Sequence, residues 1–203
     1  MSEELIQVVD EHTGEPTGEL VNRSEIFSKK LWCRSTNVFV VNSEGQILCQ
    51  QRSLSKERYP GVWSTHLGGH VSAGESFKIN AVKELEEEIG LSVNMFQMVP
   101  WRTSRKETAR LWMRDFVTVY DGRVEDLVLQ KSEIEQVRFM SISEIIETHK
   151  DPSHGIIWEE LAGVYEVHED YQALRAVLTA CLDIGIFGNP FSGLKNWGPV
   201  SSK

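Results

Sequence analysis

Four glutamates, Glu84, Glu86, Glu87 and Glu88, occupy a stretch of five residues in a segment with a helical pattern. Acidic side chains near the C-terminal end of a helix are unfavourable, because that end carries partial negative charge. Like charges three or four residues apart also repel each other. Carboxylate oxygens that converge bind hard cations such as Mg²⁺ or Mn²⁺, which would turn the repulsion into attraction. The alternative is an acidic face that is merely solvated.

The spacing of these acids separates them into two groups. On a helix with about 100° per residue, Glu84, Glu87 and Glu88 fall within an arc of roughly 100°, whereas Glu86 points elsewhere. The apolar residues of the segment recur at spacings of three and four, which predicts a helix from Phe77 to Ile89 ended by glycine 90. They are expected on nearly the opposite side, where they would pack on the core: Ile79, Val82, Leu85 and Ile89.

A longer motif surrounds these acids. The stretch from residue 69 to residue 91 fits the pattern G-x5-E-x7-R-E-U-x-E-E-x-G-U, where U is a bulky aliphatic residue, at eight of nine specified positions. The one departure is Lys83, where the pattern has Arg. On this motif the sequence resembles the Nudix superfamily, whose members hydrolyse a diphosphate linked to a further group. The matching residues are Gly69, Glu75, Glu84, Leu85, Glu87, Glu88, Gly90 and Leu91.

The resemblance implies a fold and a chemistry. The expected fold is α+β, a Nudix-type α/β/α sandwich with a mixed sheet, a loop-helix-loop catalytic motif and a C-terminal helix. The expected reaction is water attack on phosphorus, assisted by Mg²⁺ or Mn²⁺. Lys83 keeps the charge of the usual Arg without its planar fork, and it is expected to pair with Glu87. The catalytic set would be Glu84, Glu87, Glu88 and Lys83, and the metal set Glu84, Glu87, Glu88, Glu75 and Gly69.

The resemblance extends upstream to one branch of the superfamily. Over roughly residues 6–147 the chain is similar to isopentenyl-diphosphate isomerase and its hydrolase relatives, sharing a hairpin, QQR-x3-K, PG-x-W and a Gly-His pair. Arg52 and Lys56 match the basic pair that grips the diphosphate in the isomerase. His70 is a further candidate for contact with phosphate or metal. The general base stays open between a glutamate of the 69–91 motif and Glu133 or Glu135.

The isomerase alternative is disfavoured at several positions. The catalytic Cys of the isomerase falls on Gly68, which has no side chain to move a proton. Two of its metal-binding histidines fall on Phe27 and Cys33, and of the strand acids only Asp115 remains. A third reading is a binding module that kept the fold without catalysis. The clustered repulsion of the three glutamates argues against this reading.

The whole chain suits a small-molecule enzyme. Its 203 residues, 40% hydrophobic and 25% charged, indicate a globular protein. The net charge of −9 argues against binding to nucleic acid polymers or anionic membranes. Three scattered cysteines, no secretory signal and no apolar membrane span predict a cytoplasmic protein. We expect one domain over residues 1–187 and a mobile tail over 188–203; a homodimer is compatible with the family.

Strands dominate the first two thirds of the predicted fold. An N-terminal pair of extended pieces precedes a hairpin around Ser-Glu-Gly-Gln, and further strands are expected at LSVNMFQMV, RLWMRDFVTVY and QVRFM. SISEIIETH predicts a short helix, and most of 157–182 is expected to be helical.

Overall fold

The computed structural model describes residues 4–145, 172–174, 176–181 and 186. These residues divide into two compact units. The first contains the chain up to Val38 together with Leu67–Phe116, and the second contains Phe39–His66 with the described residues from Val117 onward. A single domain over 1–187 stays a prediction, and the tail at 188–203 lies outside the described residues.

The first unit begins with a hairpin and a short helix. Strand β1 (Leu5–Val9) pairs antiparallel with β2 (Pro16–Asn22), as the sequence predicts, and helix α1 (Arg23–Ser28) follows. Helix α1 is absent from the sequence-based prediction. The backbone N–H of Asn22 donates to the Glu25 carboxylate at 3.0 Å, which is half of a capping box that the sequence contains.

The remaining strands form a sheet of the order β5-β4-β3-β7-β6, in which β8 also pairs with β4. Strand β4 runs antiparallel to β3, β5 and β8. The predicted hairpin and the strands at RLWMRDFVTVY and QVRFM are confirmed. The strand bounds are Cys33–Val41 for β3, Ile47–Arg52 for β4, Trp63–Ser64 for β5, Val99–Lys106 for β6, Leu111–Val119 for β7 and Ile134–Met140 for β8.

Helix α2 (Phe77–Ile89) has the bounds that the sequence predicts. The Ser76 hydroxyl accepts the backbone N–H of Ile79 at 3.2 Å and so caps the first turn. Gly90 ends the helix in the left-handed conformation, at φ 67°. The loop-helix-loop arrangement expected for the 69–91 motif is therefore present.

The rotation of α2 about its own axis differs from the prediction. Ile79 is 46% exposed, whereas the Asn80 side chain is buried at 1% exposure. The packed face lies about one residue away from the expected one, and it includes Glu88. Of the three acids expected opposite the core, Glu88 therefore lies in the packed face, whereas Glu87 is exposed. The buried residues of the helix are Asn80, Ala81, Leu85, Glu88 and Ile89.

The prediction of a strand at LSVNMFQMV is wrong. Residues Met95–Gln97 form a 3-10 turn instead, and the Asn94 side chain accepts the backbone N–H of Phe96 at 2.9 Å. An Asn side chain that bonds its own backbone in this way competes with strand pairing. Strand β6 begins only at Val99.

The C-terminal part of the chain is described only in pieces. Residues 142–145 are helical, in agreement with the short helix expected at SISEIIETH. Most of 157–182 lies outside the described residues, and the described positions 172–174 and 176–181 are helical. No helix in the described ranges is both long enough and apolar enough to cross a bilayer.

Candidate active site

Gly69 and Glu84 meet where the loop before α2 passes over the helix. A Cβ atom placed on Gly69 would lie 2.5 Å from the Glu84 Oε1 atom, so a side chain there would push the flexible end of Glu84 aside. The Gly69 carbonyl accepts the Thr36 backbone N–H at 2.9 Å and the Ser35 hydroxyl at 3.0 Å, which anchors the loop to β3. Glycine at this position lets the backbone lie against the Glu84 carboxylate without displacing it.

Glu84 and Glu87 bear out the charge repulsion expected on this helix. Glu84 is partly buried and Glu87 is exposed. Burial, and after it the neighbouring Glu87 carboxylate, raise the pKa of Glu84 to about 7. Both causes disfavour the ionised form. The site thus holds a carboxylate whose negative charge is costly until a cation approaches.

Glu88 turns towards the loop. Its side chain is in the packed face of α2, and the residue is 7% exposed. Its Oε2 atom accepts the backbone N–H of Gly68 at 3.1 Å. Glu88 therefore ties the C-terminal half of α2 to the loop residue that precedes Gly69.

Lys83 does not pair as the sequence suggests. Its ammonium lies 3.4 Å from the Glu75 Oε1 atom, and no ion pair with Glu87 is present among the described residues. Burial alone would lower the pKa of Lys83, but the nearby carboxylates, Glu75 first and then Glu87 and Glu4, together raise it. The other oxygen of Glu75, Oε2, is buried without a hydrogen-bond partner in the described part of the chain. Lys83 therefore orients Glu75, which is the glutamate at the loop end of the motif.

Asn80 belongs to the site although it is not among the residues predicted from the sequence. Its Nδ2 atom donates to the Thr36 hydroxyl at 2.7 Å and lies 3.4 Å from the Gly69 carbonyl. A buried amide in the middle of a helix face is the signal that could have identified it, since such a group needs partners. Asn80 therefore connects α2 to β3 and to the Gly69 loop through hydrogen bonds.

His70 is enclosed rather than exposed to an anion. Its Nε2 atom is buried without a hydrogen-bond partner among the described residues, and the Phe27 ring contacts it edge-on at 5.7 Å between centroids. Burial, and after it the charge of Arg23, lower the pKa of His70 to about 4. His70 is therefore neutral at physiological pH, and a phosphate contact would have to be a hydrogen bond rather than an ion pair.

Gly68 cannot carry a side chain. A Cβ atom at this position would lie 2.2 Å from the Thr36 carbonyl oxygen, and the residue has φ 133°. Both the close approach and the positive φ favour glycine. The position that would hold the isomerase Cys is thus closed to any other residue.

Arg52, Lys56 and Glu133 lie in the second unit. The Lys56 ammonium forms an ion pair with the Glu133 carboxylate, and the backbone N–H of Ser53 donates to the Glu133 carbonyl at 2.8 Å. Arg52 Nε donates to the Arg58 carbonyl at 3.3 Å. The predicted anion-binding lysine is therefore already paired with one of the two candidate bases. The other candidate base, Glu135, accepts a hydrogen bond from the Lys131 ammonium through its backbone carbonyl.

The side chains of the first unit suit an oxygen-liganded cation. Glu84, Glu87 and Glu88 offer only carboxylate oxygens, the donors that Mg²⁺ and Mn²⁺ prefer, and the orphaned Glu75 oxygen lies in the same motif. Within the described ranges no three His, Cys, Asp or Glu side chains are already gathered as a preformed metal site. Glu88 and Glu75 instead have partners within the protein, Gly68 and Lys83. The donor chemistry fits the cation.

The comparisons with known proteins agree with the motif. Residues 31–161 match the sequence model of the NUDIX domain. A Pseudomonas aeruginosa protein described as an uncharacterized Nudix hydrolase is 38% identical, over 68% of this chain and 78% of that protein. An isopentenyl-diphosphate Delta-isomerase of Corynebacterium diphtheriae is 28% identical, over 87% of this chain and 97% of the isomerase. The resemblance to Nudix hydrolases and to isopentenyl-diphosphate isomerases is therefore confirmed.

A solved structure gives the same fold. The Deinococcus radiodurans protein DR0079 superposes with a TM-score of 0.63 at 20% identity, over 72% of this chain and 89% of that one. A likeness at this identity shows the fold alone. Together with the family match, it confirms the expected Nudix-type α+β class.

Proposed function

We propose the function from one premise, that this chain belongs to the Nudix family and is a hydrolase acting on phosphoric anhydride bonds. The proposed reaction is cleavage of the diphosphate linkage in a nucleotide or another organic diphosphate, by water attack on phosphorus, with Mg²⁺ or Mn²⁺. The approach of Glu84 to Gly69 carries this proposal, because it places a partly buried carboxylate of raised pKa at the centre of the motif.

The carboxylates have separate roles in this proposal. Glu84, Glu87 and Glu88 hold the cation, and Glu75 assists, oriented by Lys83. When bound, the cation neutralises charge on the phosphate oxygens and makes the attacking water more acidic. The chain itself keeps Glu84 partly desolvated next to Gly69, so that its negative charge interacts more strongly with what it binds than it would in water.

Arg52 and Lys56 are proposed to bind the diphosphate group, and His70 to donate or accept one neutral hydrogen bond. Lys56 has Glu133 as its resident partner. A diphosphate that reaches Lys56 therefore replaces one anionic partner by another, and the exchange costs less than stripping water from a lone ammonium.

The isomerase alternative has one observation in its favour, the coverage of 97% of the Corynebacterium diphtheriae enzyme. Three features oppose it. Gly68 has no room for a Cys side chain, Cys33 is fully buried with its pKa raised to about 12, and Asp115 is fully buried and paired with Arg102 at 2.6 Å. Deuterium uptake from solvent into isopentenyl diphosphate would contradict the hydrolase assignment, and we expect none.

A substrate panel tests the proposed reaction. Nucleoside di- and triphosphates, sugar nucleotides and prenyl diphosphates are incubated with wild type in Mg²⁺ and in EDTA, and phosphate-containing products are quantified. We expect Mg²⁺-dependent cleavage of at least one class. Glu87→Gln should abolish it, whereas Glu86→Gln, at an exposed position of the same helix, should not. Equal product from wild type and Glu87→Gln would refute the assignment.

A further inference from the structure

The N-terminal residues of the first unit contact the loop of the motif. Residues 4–28 precede the part of the chain that matches the NUDIX domain, which begins at residue 31. Ile6 of β1 forms an antiparallel bridge with Ser72, and the Ala73 backbone N–H donates to the Leu5 carbonyl at 2.8 Å. Strand β1 therefore pairs on one side with β2 and contacts the motif loop as well.

Glu4 provides the side-chain part of this contact. Its Oε1 atom accepts the Ser72 hydroxyl at 2.9 Å, and its Oε2 atom accepts Arg23 Nη1 at 2.9 Å. The backbone N–H of Arg23 also donates to the Glu4 carbonyl at 2.9 Å. Both carboxylate oxygens are thus bonded, one to the loop and one to the first residue of α1, and the side chain is held in one orientation.

Ser72 transmits the position of Glu4 to the site. Its carbonyl accepts the backbone N–H of Glu75 at 3.1 Å. It lies three residues after Gly69 and three before Glu75, and its carbonyl is bonded to the Glu75 backbone, so the position of Ser72 constrains the path of the loop between them. Since Gly69 lies against Glu84 and Glu75 is paired with Lys83, both contacts depend on the path of this loop.

We propose that Glu4 is a positioning residue for the carboxylate site, which it supports by fixing Ser72 and hence the loop that carries Gly69 and Glu75. This inference rests on the proposed function, because it concerns cation binding by the 69–91 motif. The Glu4–Arg23 ion pair is half-exposed, with side-chain exposures of 35% and 53%, and such pairs contribute little to folding stability. The effect of Glu4 should therefore appear in metal affinity more than in the melting temperature.

Five variants test this role with Mn²⁺ as the probe. Free Mn²⁺ is counted by electron paramagnetic resonance during a titration, and the melting temperature is measured in EDTA. Glu4→Ala and Ser72→Ala should each weaken Mn²⁺ binding about tenfold, the range seen for partners of metal ligands. The double variant should bind Mn²⁺ no more weakly than either single variant, because both substitutions remove the same hydrogen bond.

Glu4→Gln should bind Mn²⁺ with nearly wild-type affinity, since its amide oxygen still accepts the Ser72 hydroxyl. Glu19→Ala, at an exposed carboxylate on β2, is the matched control and should change nothing.

Three results would overturn the inference. Glu4→Ala could bind Mn²⁺ as tightly as wild type; the two single effects could add in the double variant; or Glu4→Gln could fall as far as Glu4→Ala, which would assign the effect to charge. Wild type and Glu87→Gln are titrated in parallel. Absence of binding by wild type would refute the proposed function together with this inference, whereas normal binding by both wild type and Glu4→Ala would refute the inference alone.

Discussion

Glu84 is the residue at which burial and like charge act together. Its pKa is raised from 4.5 to about 7, so the folded protein holds a proton on Glu84 that the unfolded chain releases between these two values. Stability from this group is fully present below pH 4.5 and is lost as the pH rises through 7. The metal-free protein therefore becomes less stable as Glu84 ionises.

Glu84→Gln should stabilise the metal-free fold at pH 8 and leave it nearly unchanged at pH 4.5. The gain at pH 8 has an upper limit of about 3 kcal/mol, from about 1.4 kcal/mol for each unit of pKa shift. Urea unfolding in EDTA at the two pH values measures it. Glu86→Gln, exposed on the same helix, should show no such pH dependence. A Glu84→Gln protein that is less stable than wild type at pH 8 would contradict the assigned repulsion.

A second prediction for a single residue concerns the cost of a side chain at Gly68. Gly68→Ala should cost more than about 3 kcal/mol of unfolding free energy, because it adds a backbone clash to the strain of a positive φ. Gly74→Ala is the matched control, since that glycine has φ 84° and a Cβ atom added there would have nothing within 4 Å of it. It should cost only the conformational strain, about 1 kcal/mol. Equal costs in denaturant unfolding would show that the Thr36 carbonyl can move away.

The elements show how far the sequence determines the site. The bounds of α2 follow from the apolar period, the Ser76 cap and Gly90, and all three act locally. The rotation of the helix about its axis does not follow from local sequence, because it is set by tertiary partners. Asn80 forms a hydrogen bond with Thr36 on β3, and Glu88 forms one with Gly68 in the loop. Hydrophobic periodicity counts an Asn and a Glu as outward-facing residues and so turns the predicted face towards Ile79.

Asn80→Ala and Ile79→Ala compare the observed rotation of α2 with the predicted one. Asn80→Ala removes a buried donor from Thr36 and should cost about 2 kcal/mol. Ile79→Ala should cost well under about 1 kcal/mol, because the side chain is 46% exposed. Denaturant unfolding of both variants in EDTA gives the comparison. A larger loss for Ile79→Ala would favour the rotation that the periodicity predicts.

Short elements and ion pairs are the harder part to predict. Helix α1 has only six residues, too few for a periodic pattern. Lys83 has Glu75 and Glu87 both within reach along the sequence, and only the path of the loop decides for Glu75. The proposed metal-binding residues themselves follow from the spacing of the 69–91 motif, a regularity independent of how the helix packs.

For the whole molecule, a cation should offset the cost that the acids impose on a chain of net charge −9. At a Mg²⁺ concentration of about 100 times the dissociation constant, binding to the folded state alone adds about 2.7 kcal/mol of stability. Wild type should therefore melt several degrees higher in Mg²⁺ than in EDTA. Glu87→Gln should lose most of this shift and Glu86→Gln should keep it. An equal shift in both variants would mean that the cation binds elsewhere.

The most direct measurement of the central claim follows the oxygen atom of the attacking water. The best substrate of the panel is turned over in H₂¹⁸O with Mg²⁺, and the products are analysed by mass spectrometry. We predict one ¹⁸O atom in a phosphoryl product for each bond cleaved by wild type, and no labelled product above background with Glu87→Gln. Label in the organic group rather than on phosphorus, or labelling by Glu87→Gln at the wild-type rate, would contradict the account.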